Sequence, residues 1–153
     1  MRQTKIITLA VLAVAIASTA SAAQAPAIKY GPAPAVFPAG AKMAVLAGDP
    51  GKSEQFIVRL DFPAGYTIKP HWHPTDEHIT VIEGTLLVGM GDAFDEKHMM
   101  KVGESGFVTA GAKMNHYARA KGHTVVQIDA MGPFAMTYVN PADDPSRKSA
   151  LKK

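Results

Sequence analysis

Hydrophobic and polar residues alternate in short runs over most of the chain. Residues 55–62, QFIVRLDF, place an apolar side chain at every second position, which is the period of a strand with one buried face. Similar short runs end in glycine or proline turns at 42–47, 78–84, 85–91, 106–111, 123–131 and 135–140. Residues 93–102 come closest to a helix, but Gly91 and Gly103 bound them. Many short strands joined by glycine turns predict an all-β sandwich or barrel.

The N-terminal residues follow a different pattern. Arg2 and Lys5 precede an apolar run at 7–17 that is short for a membrane span, and Ala20-Ser21-Ala22 is a small-residue cleavage motif. These features predict a signal peptide cleaved after Ala22 and a periplasmic or secreted protein. An uncleaved anchor is the alternative. No Arg-Arg pair is present, which favours export as an unfolded chain.

Proline and charge divide the remaining sequence. Four prolines among alanines exclude a helix after the signal and predict an extended arm or linker, although Tyr30, Val36 and Phe37 would also let it pack across the domain. The predicted organisation is a signal peptide at 1–22, an arm at 23–41, one strand-rich domain at 42–140 and a charged flexible tail at 141–153.

Composition narrows the chemistry of a 153-residue chain without cysteine. Disulfide scaffolds, thiolate metal sites and cysteine nucleophiles are excluded, so histidine and carboxylate must hold any metal. Removing Arg2 and Lys5 from the 16 basic residues leaves 14 against 13 acidic ones. This balance predicts no nucleic-acid partner and no attraction to an anionic membrane surface. Cleavage of the signal peptide would leave no stable membrane anchor.

Half of the chain's six histidines lie within GYTIKPHWHPTDEHITVIEG, residues 65–84. On a strand His71 and His73 face the same side, and a turn at 74–76 can return Glu77 to them. A third imidazole from another strand would complete a metal site. This spacing by itself leaves a metal site and a solvated polar strand as open alternatives.

The glycines around this cluster supply a family resemblance. Gly65, His71, His73, Glu77 and Gly84 match the first cupin signature, G-x5-HxH-x3-E-x6-G, at every position. The sequence therefore resembles the cupin superfamily, in particular its small single-domain members. The resemblance implies a double-stranded β-helix, or jelly-roll barrel, with a metal inside near one mouth. It also implies a labile position for water or substrate.

The second cupin signature, G-x5-P-x-G-x2-H-x3-N, is matched more loosely. Gly103 and Gly111 are in place, but threonine replaces the proline, two extra residues precede His116, and Ala120 stands where asparagine is usual. The resemblance implies a metal set of His71, His73, Glu77 and His116. It also implies a homodimer formed by exchange of N-terminal strands, for which the arm at 23–41 is suited.

The expected cofactor is one divalent metal ion: manganese, iron, zinc or copper. Family habit favours manganese or iron, whereas loading outside the cytoplasm along the Irving–Williams order favours zinc or copper. Three functions remain open: a metal-dependent oxygenase, lyase or isomerase acting on a small oxygenated molecule; a non-catalytic binding or sensing module; and a scaffold that the metal stabilises.

The other candidate residues carry weaker signals. His78 follows Glu77 directly and should face away from the metal, while His98 and His123 are expected on the surface. Possible wall residues of the barrel are Met90, Met114 and Met131, and the polar candidates, whose direction the sequence leaves open, are Arg59, Gln127 and Asp129.

Overall fold

The computed structural model describes residues 27–150, which form a nearly all-β domain with a short C-terminal helix. The predicted signal peptide and its cleavage site lie outside the described residues. The strands are β1 (Gly31–Pro32), β2 (Lys42–Ala47), β3 (Gln55–Phe62), β4 (Thr67–Trp72), β5 (Glu77–Glu83), β6 (Thr85–Met90), β7 (Met100–Gly103), β8 (Phe107–Ala110), β9 (His116–Ala120), β10 (Thr124–Met131) and β11 (Thr137–Tyr138). The helical elements are the 3₁₀ turns Glu96–His98 and Pro141–Asp143 and the helix α1, Pro145–Ala150.

The strands form two antiparallel sheets. One sheet has the order β1-β2-β3-β10-β5-β8, and the other has the order β11-β4-β9-β6-β7. Consecutive strands often lie in different sheets, so the chain crosses between the two layers repeatedly, as in a jelly roll. The predicted all-β fold class is therefore confirmed.

The core lies between the inner faces of the two sheets. On β3 the alternation is complete: Phe56, Val58, Leu60 and Phe62 are buried, and the residues between them face outward. Strand β10 alternates in the same way and pairs with both β3 and β5 along nearly its whole length. Gly84 turns the chain between β5 and β6 at φ +81°, and a side chain there would collide with the His123 carbonyl.

The arm packs across the barrel over residues 27–41. Phe37 is buried in the core, and β1 pairs with β2 of the same chain. Tyr138 donates a hydrogen bond to the Val36 carbonyl at 2.9 Å, and Tyr66 donates one to the Pro38 carbonyl at 2.6 Å. Two tyrosines from the barrel therefore fix the arm on both sides of Phe37.

The sequence patterns do not predict strands β1, β7 and β9. For β9 the reason is burial on both faces, which leaves no alternation. Its outer face is covered by residues 94–96: Phe94 packs on the Tyr117 ring and Glu96 pairs with Arg119 at 2.7 Å. Gly89, directly opposite Tyr117, leaves the space that this ring fills.

The segment from residue 141 contains a 3₁₀ turn and α1 as far as residue 150, and its expected flexibility stays a prediction. Among residues 27–150, no helix is long and apolar enough to cross a membrane.

Candidate metal centre

Both sheets contribute to the cluster of predicted site residues. His71 on β4 and His116 on β9 are directly paired across the ladder, so their side chains leave the sheet on the same face. His73 follows the end of β4, two residues after His71. Glu77 begins β5 in the opposite sheet and is also buried. The cluster therefore joins the two layers at one end of the core.

The three imidazoles are held by the backbone in the same way, each through its Nδ1. Each Nδ1 lies within hydrogen-bond distance of a backbone carbonyl: His71 with Lys69 at 2.8 Å, His73 with Ala135 at 2.8 Å and His116 with Met114 at 3.0 Å. A carbonyl only accepts hydrogen bonds, so each Nδ1 carries a proton. The Nε2 lone pairs of the neutral rings are then available as ligands.

The free nitrogens converge. The potential ligand atoms of His71, His73 and His116 lie within 4.8 Å of one another, and each residue is no more than 3 % exposed. His73 Nε2 is buried without a hydrogen-bond partner. A buried polar atom in that state costs free energy unless a ligand satisfies it. These three histidines could therefore hold one metal ion.

Glu77 adds a carboxylate beside two of the imidazoles. Its Oε2 is 3.2 Å from His116 Nε2 and 3.5 Å from His73 Nε2. A set of three nitrogens and one carboxylate oxygen suits divalent manganese, iron, zinc and copper. The residues present thus fit the kind of ion that the sequence led us to expect.

The electrostatics favour neutral ligands at two of the histidines. Burial, followed by the neighbouring His116 and His73, lowers the pKa of His71 to about 3. Burial also lowers the pKa of His73. Burial by itself would raise the pKa of Glu77 and lower that of His116. The hydrogen bond between the two side chains and their mutual attraction act the other way, so the pKa of Glu77 is lowered and that of His116 is raised. Both directions favour a proton on His116 Nε2 and a negative charge on Glu77, and metal ligation would release that proton.

The two extra residues before His116 are accommodated by a tight loop. Lys113 takes a left-handed conformation at φ +60°, and its N–H donates to the His73 carbonyl at 2.8 Å. The Ala112 N–H donates to Asp76 Oδ1 at 2.7 Å. The inserted residues thus connect the His116 loop to the chain between His73 and Glu77, and His116 reaches the cluster.

Further contacts that sequence reasoning missed position the ligands. Phe134 stacks on His73 with a centroid distance of 4.6 Å and an interplanar angle of 22°. The Tyr138 ring lies 6.0 Å from that of His71. Asp76, inside the predicted turn, was the one residue with a local signal, because Asp commonly accepts backbone N–H groups in turns. The role of Phe134 depends on a contact 61 positions along the chain, for which the sequence has no signal.

The remaining candidates lie elsewhere. His78 faces outward, as its parity predicted, and its Nδ1 lies 2.9 Å from Thr109 Oγ1. His98 and His123 are on the surface. The three polar candidates alternate with buried neighbours on β3 and β10, so their side chains leave the outer face of the six-stranded sheet: Arg59, Gln127 and Asp129. They do not line the interior.

The methionine expectations need a similar correction. Met90, Met114 and Met131 are each nearly half exposed, so none is a buried wall residue. A methionine that does border an interior cavity is Met136, which lies beside His71, Glu77 and His116. This cavity measures only about 20 Å³, enough for one water molecule, and its other walls are apolar.

Comparisons with known proteins agree with the fold. Residues 58–130 match the family model of the cupin domain. Among solved structures, the chain is similar to the polyketide cyclase RemF of Streptomyces resistomycificus, at 16% identity and a TM-score of 0.64 over 80% of this chain and 87% of that one. It is also similar to a candidate acetylacetone dioxygenase of Methylibium petroleiphilum, at 18% identity and a TM-score of 0.60 over 82% of this chain and 90% of that one.

A third similar structure is the DMSP lyase DddQ of Ruegeria pomeroyi, at 18% identity and a TM-score of 0.52 over 63% of this chain and 50% of that one. No curated protein matches the sequence. At these identities the structural matches establish the fold alone.

Proposed function

Since the described part of this chain is a small domain of the cupin superfamily, we propose that it binds one divalent metal ion through His71, His73, His116 and Glu77 and catalyses a reaction of a small oxygenated molecule. The observation that carries the proposal is the common tautomer of the three histidines. Each ring donates its Nδ1–H to a backbone carbonyl, and the potential ligand atoms of the three rings converge in a buried space.

The proposed reaction is of the oxygenase, lyase or isomerase type. A bound manganese, iron, zinc or copper ion would supply Lewis-acid activation of an oxygen atom or, for the redox-active ions, electron exchange. The chain's own part is to orient the three imidazoles and to keep bulk water out with an apolar wall.

Similar proteins give this proposal its range of chemistry. The cyclase, the candidate dioxygenase and the lyase mentioned above are named for different reactions and share one fold. Fold does not determine reaction, so the choice must come from the metal and from the cavity.

Metal content is the direct test of the site. The chain from residue 23 onward, purified without a histidine tag, should contain about one metal ion per chain, and His71→Ala should contain almost none. His78→Ala is the matched control, because it removes a neighbouring histidine that faces outward. Equal metal in wild type and His71→Ala would refute the assignment.

A non-catalytic binding or sensing module is the second candidate, and the cavity of about 20 Å³ favours it. An enzyme needs a coordination position that substrate can reach, whereas a structural or sensing site can be closed. Water-proton relaxation of the Mn²⁺-loaded protein separates the two. Strong enhancement indicates an exchangeable water on the ion, and its absence favours the closed module.

We also propose that the protein works outside the cytoplasm as a homodimer. N-terminal sequencing of the exported protein should begin at Ala23. Light scattering should give twice the chain mass. An exchanged arm would make the same contacts to Tyr66 and Tyr138 of a second copy that it makes within one chain, so both forms are compatible with its packing.

A further inference from the structure

An apolar groove lies on the outside of the barrel next to the metal centre. It has a volume of about 380 Å³, within the usual range of small-molecule sites. The arm, β2 and the segment 134–136 form its walls, and no charged side chain lines it. Phe134 connects the groove to the centre, because one ring both lines the groove and stacks on His73.

Only a thin partition separates this groove from the cavity beside the ligands. Two side chains, Phe37 and Met136, border both spaces. Phe37 is fixed, because the carbonyls on both sides of it accept hydrogen bonds from Tyr66 and Tyr138. Met136 is only partly buried. An unbranched thioether side chain changes rotamer easily, so Met136 is the movable part of the partition.

We propose that the groove is the outer half of the substrate site and that Met136 is the specificity-determining residue between the two halves. The inference rests on the proposed metal site. A cavity for one water cannot enclose a substrate, so only a small polar head can reach the ligands while the body remains outside. The body must be apolar and without formal charge, because the groove offers it proline, valine, methionine and phenylalanine side chains.

Charged substrates fit this geometry poorly. A smaller groove of about 170 Å³, with Asp144 and Arg147 in its lining, also touches Met136, but it shares no second residue with the cavity. The proposed substrate class is therefore a mainly hydrophobic molecule, such as an aromatic or alkyl compound, with one ketone, enol or hydroxyl oxygen at its end.

A matched set of probes tests the class without knowledge of the reaction. The three probes share an imidazole ring, which binds the metal. Imidazole itself has no substituent, 4-phenylimidazole adds an apolar phenyl group, and imidazole-4-acetate adds a charged carboxylate. On the Co²⁺-loaded protein, the visible d–d bands report their binding. We expect 4-phenylimidazole to bind about tenfold or more tightly than imidazole, and imidazole-4-acetate to bind more weakly.

Variants at Met136 test the partition. Met136→Trp should abolish the preference for 4-phenylimidazole over imidazole, whereas Met136→Ala should speed association of 4-phenylimidazole. Met131→Trp is the control, since Met131 is an exposed methionine on the outer face of the other sheet. An unchanged preference in folded Met136→Trp, or tighter binding of the charged probe, would overturn the proposal.

Methyl NMR of the metal-free protein tests the groove independently of the metal site. With ¹³C-methyl methionine, 4-phenylimidazole should shift the Met43 and Met136 methyl signals and leave the Met131 signal in place. If Co²⁺ fails to bind while these methyl shifts appear, the metal site is wrong and the groove stands. If Co²⁺ binds and the methyl signals do not move, the groove assignment fails alone.

Discussion

Two histidine–carboxylate clusters in this molecule have similar distances and opposite chemistry. In the inner cluster, Glu77 lies 3.2 Å from His116 and 3.5 Å from His73, all buried. In the outer cluster, His123 lies 2.9 Å from Asp61 and 3.3 Å from Glu83, and its side chain is 52 % exposed. Distance alone therefore does not distinguish a candidate metal site from a surface ion pair.

The difference lies in the second nitrogen of each ring. In the inner cluster a backbone carbonyl accepts the Nδ1–H of every histidine, which leaves Nε2 without a proton on His71 and His73, while His116 Nε2 faces Glu77 alone. In the outer cluster both nitrogens of His123 face carboxylates, so both must carry protons. The carboxylates, Asp61 foremost, accordingly raise the pKa of His123, whereas burial lowers the pKa of His71 and His73. An imidazolium binds no metal, and a neutral ring with a free Nε2 does.

The largest expected effect follows from removing an inner histidine. Wild-type protein with Zn²⁺ at about a hundred times its Kd should gain about 2.7 kcal/mol of stability, which is about 10 °C in Tm for a domain of this size. His73→Ala should lose almost all of this metal-induced gain, because it removes the orphaned Nε2. The measurement is the Tm of each protein with and without Zn²⁺.

His123→Ala is the control for the same measurement. It also removes a histidine close to carboxylates, yet it should keep the full Zn²⁺ response. A reduced response in His123→Ala, or an intact one in His73→Ala, would mean that burial and tautomer do not distinguish the clusters.

A smaller effect is expected from Asp76, which positions the His116 loop rather than contacting the ligand atoms. Asp76→Ala removes the acceptor of the Ala112 N–H and should weaken Zn²⁺ binding about tenfold, the usual range for groups that orient metal ligands. Competition with a chromophoric chelator measures this change in Kd. Asp129→Ala is the control: this carboxylate borders a surface groove together with Asp76, separate from the apolar groove, but binds Gln55. Equal Kd values for the two variants would contradict a positioning role.

The sequence predicted the inner cluster better than it predicted its surroundings. The spacing of His71, His73 and Glu77 is local, since a strand and a turn bring them together within seven residues. The family resemblance extended this set to His116, which the register of β4 and β9 places opposite His71. The strand β9 was not predicted, because a strand buried on both faces lacks the alternation of apolar and polar residues that identifies a strand.

The cavity could not be predicted from the sequence for a different reason. The direction of Met90, Met131 or Arg59 depends on which strand face each occupies and on what covers it, and neither is encoded within a few residues. Phe37 and Met136 meet at the partition because the arm folds back over the barrel and the segment after β10 returns beneath it. These two positions are about a hundred residues apart, so neither composition nor local periodicity predicts that they come together.

The smallest expected effect is the pH response of the outer cluster. The folded-state pKa of His123 is raised above the ordinary value of 6.5, so its ion pairs contribute stability fully below that value and lose it as pH rises through the raised pKa. Wild type should therefore exceed His123→Gln in Tm slightly at about pH 5.5, and the two should converge by about pH 9.

High salt concentration provides a second test of the comparison between the two clusters. The pairs of His123 with Asp61 and Glu83 are exposed, so about 1 M NaCl should remove the small difference at pH 5.5, because the Debye length falls to about 3 Å. The metal-induced gain of the inner cluster should persist in the same salt, since its ligands are buried. If salt removed both effects equally, the inner histidines would behave as a surface ion pair, and the contrast between the clusters would fail at its physical origin.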